Sequence, residues 1–421
     1  MSHYNRNPTG KNQFGSKPGV DDEQLVNALQ KYHREKLTSN QLISKRLKAE
    51  YGVEMSATTV KRRRKALRFF GSSSTAKTMP EQDRTQLVLS QMDKDPARRQ
   101  GVQTIQHRIA FDKGIHLPRD FVSEVMHQYD SEAFKLRDPT AKKIHREPKH
   151  PIGIHERWAG DGHDKLYKIG FPIWGVVDDA TGAWLGGWVV PSNRLGEVVA
   201  YLFLCLVEKF EGIPLQFSTD CGSETTKLYG LISALRQIFY PEIAIEELPA
   251  HVFLRSVHNI SIERSWLRLR LEFGDNAVIF FQRGEESGVY RPHDPNHYEL
   301  CQWLWPSLLR QEMDAFMTFR NGVTMRKNNS KPGPSKLSRN TAFSIPEEWG
   351  GRNCLLPVDV EVIREIKAAM GGDDLLEFVS SDFKQRAQAA YDSLDIAELT
   401  FSNVWDVFAI MLPLVYPEVY Q

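Results

Sequence analysis

The chain has 421 residues, a formal net charge of +1 and 41% hydrophobic residues, which is enough for two to three domains with a substantial core. Its four cysteines form no CxxC pair, which excludes a disulfide framework and a cysteine-type zinc site. The longest fully apolar run, 198–207, is too short to span a bilayer. The composition therefore predicts a soluble intracellular protein.

Charge is distributed unevenly along the chain. Residues 1–150 contain 29 basic and 17 acidic side chains, whereas residues 151–421 contain 25 basic and 36 acidic ones. A basic front half joined to an acidic rear half predicts that the front half binds a polyanion. The alternative is a basic surface that only contacts solvent.

The first predicted elements follow a polar, Gly- and Pro-rich tail (1–20) that we expect to be disordered. Apolar residues at helical spacing, a break at Gly52 and an N-cap at Ser56 predict three helices in a module spanning 21–72. The third helix is strongly cationic, so the module is a helix-turn-helix candidate. Its basic residues are predicted to face phosphates or base edges: Lys61, Arg62, Arg63, Arg64 and Lys65. A nuclear-localisation run or a solvated face is the alternative.

A second helical module of similar type is predicted at 80–135, after a short flexible joint at 71–75. Pro118 suits the first turn of its last helix. A basic, Pro-punctuated linker (136–150) follows.

Residues 151–290 have the pattern of an α/β domain. Strands are predicted at 156–161, 171–178 and 183–190, the last two joined by a hairpin at 178–182. A helix at 197–210, a strand at 214–219, a helix at 224–239, a strand at 243–248 and a helix at 261–273 follow. This order is that of the ribonuclease-H-like fold, a mixed five-stranded sheet with flanking helices.

The remainder, 291–421, is predicted to be a C-terminal helical region. It includes a loop at 315–346 that has six basic residues and no acidic one, Arg326 and Lys327 among them. We interpret this loop as a second element that follows a phosphate backbone, with a plain solvated loop as the alternative. Residues 357–421 carry amphipathic helical segments and no chemical motif.

Three acidic residues, Asp161, Asp220 and Glu263, lie where strand ends or a helix face are predicted. Two divalent cations about 3.5–4 Å apart can activate an attacking oxygen and stabilise a leaving oxygen in phosphodiester chemistry. Carboxylate oxygens are the ligands that Mg²⁺ prefers. The trio therefore predicts a metal-dependent site.

The chain resembles the integrase-core, or DDE transposase, family, and most of all its stand-alone eukaryotic, transposon-derived type. The resemblance rests on four motifs: WAGDGHDKL at 158–166, GVVDD at 175–179, TDCGSE at 219–224 and HNISIERSW at 258–266. It implies that Asp161, Asp220 and Glu263 are the catalytic triad, binding two Mg²⁺ or Mn²⁺ ions. The implied activity is DNA cleavage and strand transfer in the nucleus. The implied partners are transposon-end and target DNA, RNA as an alternative nucleic acid, and further copies of the chain.

Basic residues flank the three acids. Arg264 and Arg268 share a face of the predicted helix and are expected to hold a DNA strand. His163 and Lys165 follow the first acid and are expected near substrate.

Other acids compete for the role of ligand. Asp178 and Asp179 are interpreted as turn residues, Asp164 is a further competitor, and Glu224 suits a helix N-terminus better than a fourth ligand. The last motif gap is longer than in retroviral relatives, so we place an insertion at 239–257.

Two rival functions stay open. A ribonuclease-H-type nuclease would use a carboxylate at the start of the first core helix, where Glu197 stands. A domesticated transposase would bind nucleic acid without cutting it.

Overall fold

The computed structural model describes residues 18–19, 22–132, 134, 150–163, 165–220, 222, 224–254, 260–328 and 332–420. The predicted disordered tail (1–20) and basic linker (136–150) therefore lie almost entirely outside the described residues. Asp164 and Cys221 also lie outside them.

Three helices form the first module: Glu23–Arg34 (α1), Asn40–Tyr51 (α2) and Ala57–Ala66 (α3). Ser56 begins α3 by accepting a hydrogen bond from the backbone N–H of Thr59, which satisfies a donor that the helix leaves unpaired. Gly52 ends α2 at a φ of 66°, in the left-handed region that favours glycine. Val60 is fully buried in the small apolar core between the helices. The three predicted helices, the break at Gly52 and the cap at Ser56 are confirmed.

The second module also consists of helices: Ser72–Thr78 (α4), Glu81–Asp93 (α5), Val102–Lys113 (α6) and Arg119–Tyr129 (α7). The prediction of a flexible joint at 71–75 is wrong, because most of that segment lies in α4. The Gly71 carbonyl accepts hydrogen bonds from the N–H groups of Ser74 and Thr75, at 3.0 and 3.1 Å. The hydroxyl of Thr75 also bonds back to Gly71, a local contact that is compatible with a helix start.

A five-stranded mixed sheet forms the centre of the molecule. In sequence order its elements are Arg157–His163 (β2), Ile173–Asp178 (β3), Trp184–Val189 (β4), the helix Gly196–Phe210 (α8), Gln216–Thr219 (β6), the helix Thr225–Phe239 (α9), His251–Phe253 (β7) and the helix Ile260–Leu269 (α10). The strand order is β4-β3-β2-β6-β7, with β2 antiparallel to β3 and parallel to β6. This is the ribonuclease-H-like arrangement predicted from the sequence. The short strands Gly153–Ile154 (β1) and Gly212–Ile213 (β5) lie outside this sheet and pair with two short strands of the C-terminal region.

The fifth strand lies at His251–Phe253, so the predicted strand at 243–248 is wrong. In that segment the N–H groups of Ile243 and Leu248 donate to nearby carbonyls in consecutive turns. These donors are therefore not available to a sheet ladder. The sheet takes its last strand from the residues that follow these turns.

Helices cover both faces of the sheet. Trp158, Trp174 and Phe217 face α8 and α9 in one apolar core. Ala159, Ile173 and Val177 face α10 and the C-terminal helices in another. Alternate residues of a strand point to opposite faces, which explains the division. The helix predicted at 261–273 is α10 followed by a π-helical turn, Arg270–Gly274, and by Asp275–Glu286 (α11).

The C-terminal region is mainly helical, as predicted. Its elements are Pro295–Gly322 (α12), Arg339–Ser344 (α13), the strands Arg352–Asn353 (β8) and Leu356–Pro357 (β9), and the helices Val360–Ala369 (α14), Ser381–Asp392 (α15), Val404–Val415 (α16) and Pro417–Tyr420 (α17). The predicted loop 315–346 is wrong at both ends, because α12 continues to Gly322 and α13 occupies Arg339–Ser344. Phe316 and Phe319 are buried, so the helical apolar pattern extends further than the basic composition indicated. No helix among the described residues is long and apolar enough to cross a membrane.

A buried ionic network holds the first module against the core. Arg46 on α2 is fully buried, with Nη1 2.5 Å from Glu35 Oε2 and Nε 2.7 Å from Glu50 Oε1. Asn340 and Ser344 of α13 donate to the same two carboxylates, each at 2.7 Å. The carboxylates thus join α2 to α13.

Candidate functional site

Asp161 lies within β2, opposite Gly175 of β3. The residue is half-buried, and its Oδ2 accepts a hydrogen bond from the indole Nε1 of Trp266 at 2.8 Å. The side chain belongs to the sheet face that α10 covers, together with Ala159. Asp161 is therefore held between the central strand and this helix.

Asp220 follows the last residue of β6. Ala159 pairs with Ser218 in the parallel β2–β6 ladder, and two residues further along both strands lie Asp161 and Asp220. Neighbouring strands are about 4.8 Å apart, so the register brings these two residues side by side at the carboxyl end of the ladder. Asp220 is half-buried.

Glu263 lies in the first turn of α10 and is exposed. Ile262, Trp266 and Leu269 bury the opposite side of the helix against the sheet. This amphipathic packing fixes where α10 crosses the sheet and leaves Glu263 at the rim.

The electrostatics link the three carboxylates. Burial, together with the negative charges of Asp220 and Glu263, raises the pKa of Asp161 from 3.8 to about 7, and the Trp266 hydrogen bond opposes this rise. Asp161 is therefore close enough to both other acids for like-charge repulsion to affect its ionisation. The three acids, distant in the sequence, are thus coupled electrostatically, and their role as one metal site stays a prediction.

These donors have the chemistry of a divalent-cation site, because carboxylate oxygens suit Mg²⁺ or Mn²⁺ and a cation would relieve the repulsion at Asp161. Among the described residues, however, no group of three or more His, Cys, Asp or Glu side chains lies close enough to hold a metal ion. The acids thus share one electrostatic environment. Binding a common ion would require their side chains to turn toward it.

Trp266 is the main feature of the site that the sequence did not reveal. Its ring stacks on His163 at 4.6 Å and is only 4% exposed. Gly175 makes room for this ring, since a Cβ atom there would lie 2.5 Å from the indole. His163 is buried beneath the ring, so the structure places it as a support of Trp266. The sequence feature that could have indicated this role is the position of Trp266, three residues after Glu263 in the same predicted helix.

The competing acids have other partners. Asp178 is fully buried, and its carboxylate accepts hydrogen bonds from the backbone N–H groups of His155 and Thr181, both at 2.9 Å. This confirms its interpretation as a turn residue. Glu197 forms an ion pair with Lys227 on α9. The Glu224 carboxylate lies next to Gly222, so it packs on the turn that precedes α9.

The basic side chains of the cationic helix α3 fall into two groups, one exposed and one hydrogen-bonded. Lys61, Arg62 and Lys65 are exposed. Arg63 donates to the carbonyl of Pro18 at 3.0 Å, and Arg64 donates to Thr38 and Asn40 at 2.9 and 2.8 Å. Arg64 therefore ties α3 to the loop before α2.

The remaining predicted basic residues lie near the acids or on the following loop. Arg264 and Arg268 are both exposed on α10, and Arg268 Nη1 is 3.9 Å from Glu272 Oε1. Arg326 and Lys327 are exposed after the end of α12. Lys165 begins a 3-10 turn, Lys165–Ile169, and its side chain lies outside the described part of the structure.

Residues 152–346 match the family model of the integrase core domain. The matched segment contains Asp161, Asp220 and Glu263 and the whole five-stranded sheet. No match to the chain was found among curated proteins. The segment is an integrase core domain, which indicates an integrase- or transposase-like function in general.

Proposed function

On the basis of the match of residues 152–346 to the integrase core domain, we propose that the chain is a DNA-binding polynucleotidyl transferase that cleaves and joins phosphodiesters. The observation that carries the proposal is the coupling of Asp161 to Asp220 and Glu263, three acids supplied by two strands and a helix of the core domain. Placing the half-buried Asp161 beside two further acids without a chemical role would be costly, because like charges in a low-dielectric site repel.

Asp161, Asp220 and Glu263 would hold two Mg²⁺ or Mn²⁺ ions. Such a pair supplies activation of the attacking oxygen and stabilisation of the leaving oxygen. The protein's own contribution is positioning: Trp266 fixes one oxygen of Asp161, and Arg264 and Arg268 are placed along α10 to bind the phosphate backbone. The nucleophile is water in cleavage and a DNA 3′-hydroxyl in strand transfer. Each step forms one P–O bond and breaks one.

The N-terminal module would bind DNA through α3. Its exposed side chains Lys61, Arg62 and Lys65 present three positive charges to solvent on one short helix. Cationic side chains of this kind bind phosphates and release counter-ions. Arg64 would keep α3 in place rather than contact DNA, because its guanidinium already donates to Thr38 and Asn40.

The test incubates the purified protein with Mn²⁺ and labelled duplexes that carry candidate terminal repeats. We expect 3′-end nicking or joined products, and their loss by at least a hundredfold in Asp161→Asn, Asp220→Asn and Glu263→Gln. Glu197→Gln is the matched control and should retain activity, because Glu197 pairs with Lys227. Full activity in Asp220→Asn would contradict the proposal.

The same assay separates the two rival functions. A ribonuclease-H-type nuclease would cut an RNA–DNA hybrid and would lose activity in Glu197→Gln. A protein that binds without cutting is favoured by one observation, the lack of a ready metal-binding group among the described residues. It would bind the duplex at the same affinity with and without Mn²⁺ and produce no nick.

A further inference from the structure

Three arginines lie near the carboxylate of Glu272, in the π-helical turn that follows α10. Arg320 Nη1 lies 3.3 Å from Glu272 Oε1, and Arg268 Nη1 lies 3.9 Å from the same oxygen. Arg339, the first residue of α13, donates from Nη1 to the backbone carbonyl of Arg320 at 3.2 Å. We name Arg268, Arg320 and Arg339 the arginine cluster.

The charges of the arginine cluster are not balanced. Arg268 and Arg320 lie within 4 Å of the carboxylate of Glu272, whose side chain is only 2% exposed, and Arg339 interacts with it electrostatically. Arg108 interacts with the same carboxylate, but three further acids also act on Arg108: Asp112, Glu312 and Asp95. Among the described residues, Arg339 has no ion-pair partner, and Glu272 Oε2 has no hydrogen-bond partner. Burial, followed by the charge of Arg320, lowers the pKa of Arg339 to about 9, at which the group is still charged in neutral solution. An excess of positive charge sheltered from water is costly unless an anion neutralises it.

The side chains of the arginine cluster differ in their exposure to solvent. The Arg268 side chain is 55% exposed, whereas the Arg320 side chain is 12% exposed and lies deeper. Arg339 lies against the hairpin that joins β3 to β4, with Nε 3.5 Å from the position of a Cβ on Gly182. An anion could therefore reach the guanidinium groups from the Arg268 side. Planar guanidinium groups are well suited to phosphate oxygens, which they bind in pairs.

The position of the cluster favours a chain of phosphates over a single one. Arg268 follows Glu263 by five residues, about 7.5 Å along the helix axis. At the other side, Arg339 begins the helix α13 that joins the first module through Glu35 and Glu50. The loop that carries exposed Arg326 and Lys327 returns to the cluster at Ser338, which bridges to Thr324. Positive charge thus extends from the acids toward the N-terminal module.

We propose that Arg268, Arg320 and Arg339 form a phosphate-binding site that holds the backbone of a bound nucleic acid between the N-terminal module and the acidic site. This inference rests on the DNA-binding role proposed above and adds two residues to it, Arg320 and Arg339. Glu272 keeps the guanidinium groups positioned when no phosphate is bound.

The test measures the affinity for a labelled duplex DNA of fixed sequence by fluorescence anisotropy at several salt concentrations. Arg339→Gln should weaken binding about tenfold at 0.1 M salt and reduce the slope of log K against log salt by about 1. Arg339→Lys keeps the charge but loses the paired hydrogen bonds of a guanidinium group. Its affinity should therefore lie between those of the wild type and Arg339→Gln. Arg386→Gln, an exposed arginine on α15, is the control and should bind as the wild type does.

A second measurement applies if Arg339→Gln fails to fold. Arg268→Gln removes a half-exposed side chain and should give the same loss of affinity and slope in a protein with unchanged melting temperature. Wild-type affinity and slope in whichever of these variants folds would overturn the inference. In Arg268→Gln this result would also remove the phosphate-binding role given to Arg268 above, whereas the roles proposed for α3 and the three acids would stand. Failure of the wild-type protein to bind any duplex would instead overturn the proposed function.

Inorganic pyrophosphate distinguishes a polymer site from a small-anion site. We expect millimolar pyrophosphate to raise the melting temperature of the wild type and not of Arg339→Gln, and to compete with DNA. Protection by pyrophosphate without any loss of DNA affinity in Arg339→Gln would overturn the assignment to nucleic acid.

Discussion

At the residue scale, Asp161 is subject to opposing influences. Burial and the neighbouring charges of Asp220 and Glu263 favour its protonated form, whereas the Trp266 hydrogen bond favours the carboxylate. The resulting pKa of about 7 places its ionisation at neutral pH. A cation bound at Asp161 would therefore displace this proton.

This pKa predicts a pH dependence of stability. The folded protein holds the Asp161 proton up to about pH 7, whereas the unfolded chain loses it near pH 3.8. The stabilisation is complete below pH 3.8 and is lost as the pH rises through about 7. Asp161→Asn cannot ionise, so its free energy of unfolding, relative to the wild type, should increase by about 1–3 kcal/mol from pH 5 to pH 8.

Urea unfolding of both proteins at the two pH values, without divalent metal, checks this. An equal change in the wild type and in Asp161→Asn would show that Asp161 titrates at its ordinary pKa.

Side-chain chemistry in the sequence pointed to the acids but not to their partners. Asp161, Asp220 and Glu263 could be chosen from their positions at predicted strand ends and on a helix. The hydrogen bond from Trp266 to Asp161 could not be predicted in this way, because it depends on where α10 crosses the sheet. Contacts between residues 105 positions apart determine this crossing. Likewise, the basic run 61–65 gave no sign that Arg64 is bonded to Thr38 and Asn40 while Arg62 is exposed.

At the scale of elements, close packing between α10 and the sheet positions the site. Gly175 lies opposite Asp161, and the rings of Trp266 and Trp184 occupy the space that its side chain would need. Both rings are almost fully buried. The absence of a side chain at this position allows α10 to approach the strand that carries Asp161.

Gly175→Ala should therefore disturb the site without changing any charged group. A Cβ there would lie 2.5 Å from Trp266 and 2.8 Å from Trp184, so we expect a loss of about 1–3 kcal/mol of stability from overpacking, with displacement of Trp266. Tryptophan fluorescence and thermal unfolding measure both effects.

Gly230→Ala is the matched control for this substitution. Gly230 lies in α9, where an added Cβ meets nothing within 4 Å, so the change should stabilise the protein by up to about 1 kcal/mol. Equal stability of the two variants would contradict the packing argument at Gly175.

Secondary-structure prediction failed where local hydrogen bonding overrode composition. Residues 243–248 have apolar and β-branched side chains, yet their N–H groups close turns, and the fifth strand forms at His251–Phe253. At 71–75, a Gly- and Ser-rich stretch became the start of α4, where the N–H groups of Ser74 and Thr75 donate to the Gly71 carbonyl. The order of elements was nevertheless predictable, since it depends on long apolar segments and not on their boundaries.

At the scale of the whole molecule, the first module is fixed to the core by buried charge. Arg46 lies between Glu35 and Glu50, with its guanidinium 4.3 Å from the centre of the Tyr32 ring, and α13 donates to both carboxylates. This contact sets the direction of the cationic helix α3 relative to the acids. The unequal charge of the two halves of the sequence thus corresponds to two structural regions joined by a specific interface.

Arg46→Met should weaken this interface strongly. Removing the guanidinium leaves the buried Glu35 without its cation and the partly buried Glu50 with only Lys31, which costs about 3–5 kcal/mol. Lys48→Met is the control, because Lys48 pairs with Glu54 at the surface and its side chain is 68% exposed; we expect a change of less than about 1 kcal/mol. Chemical denaturation measures both, and a loss in Arg46→Met no larger than in Lys48→Met would contradict the role of the network.

The central claim is that Asp161, Asp220 and Glu263 form one site for divalent cations. The most direct test is the melting temperature of the protein at pH 8 with and without millimolar Mn²⁺ or Mg²⁺, in the wild type and in Asp220→Asn, with Glu197→Gln as the control. We predict a rise of about 1–4 °C in the wild type and in Glu197→Gln, and none in Asp220→Asn. An equal rise in Asp220→Asn, or no rise in the wild type, would contradict the claim.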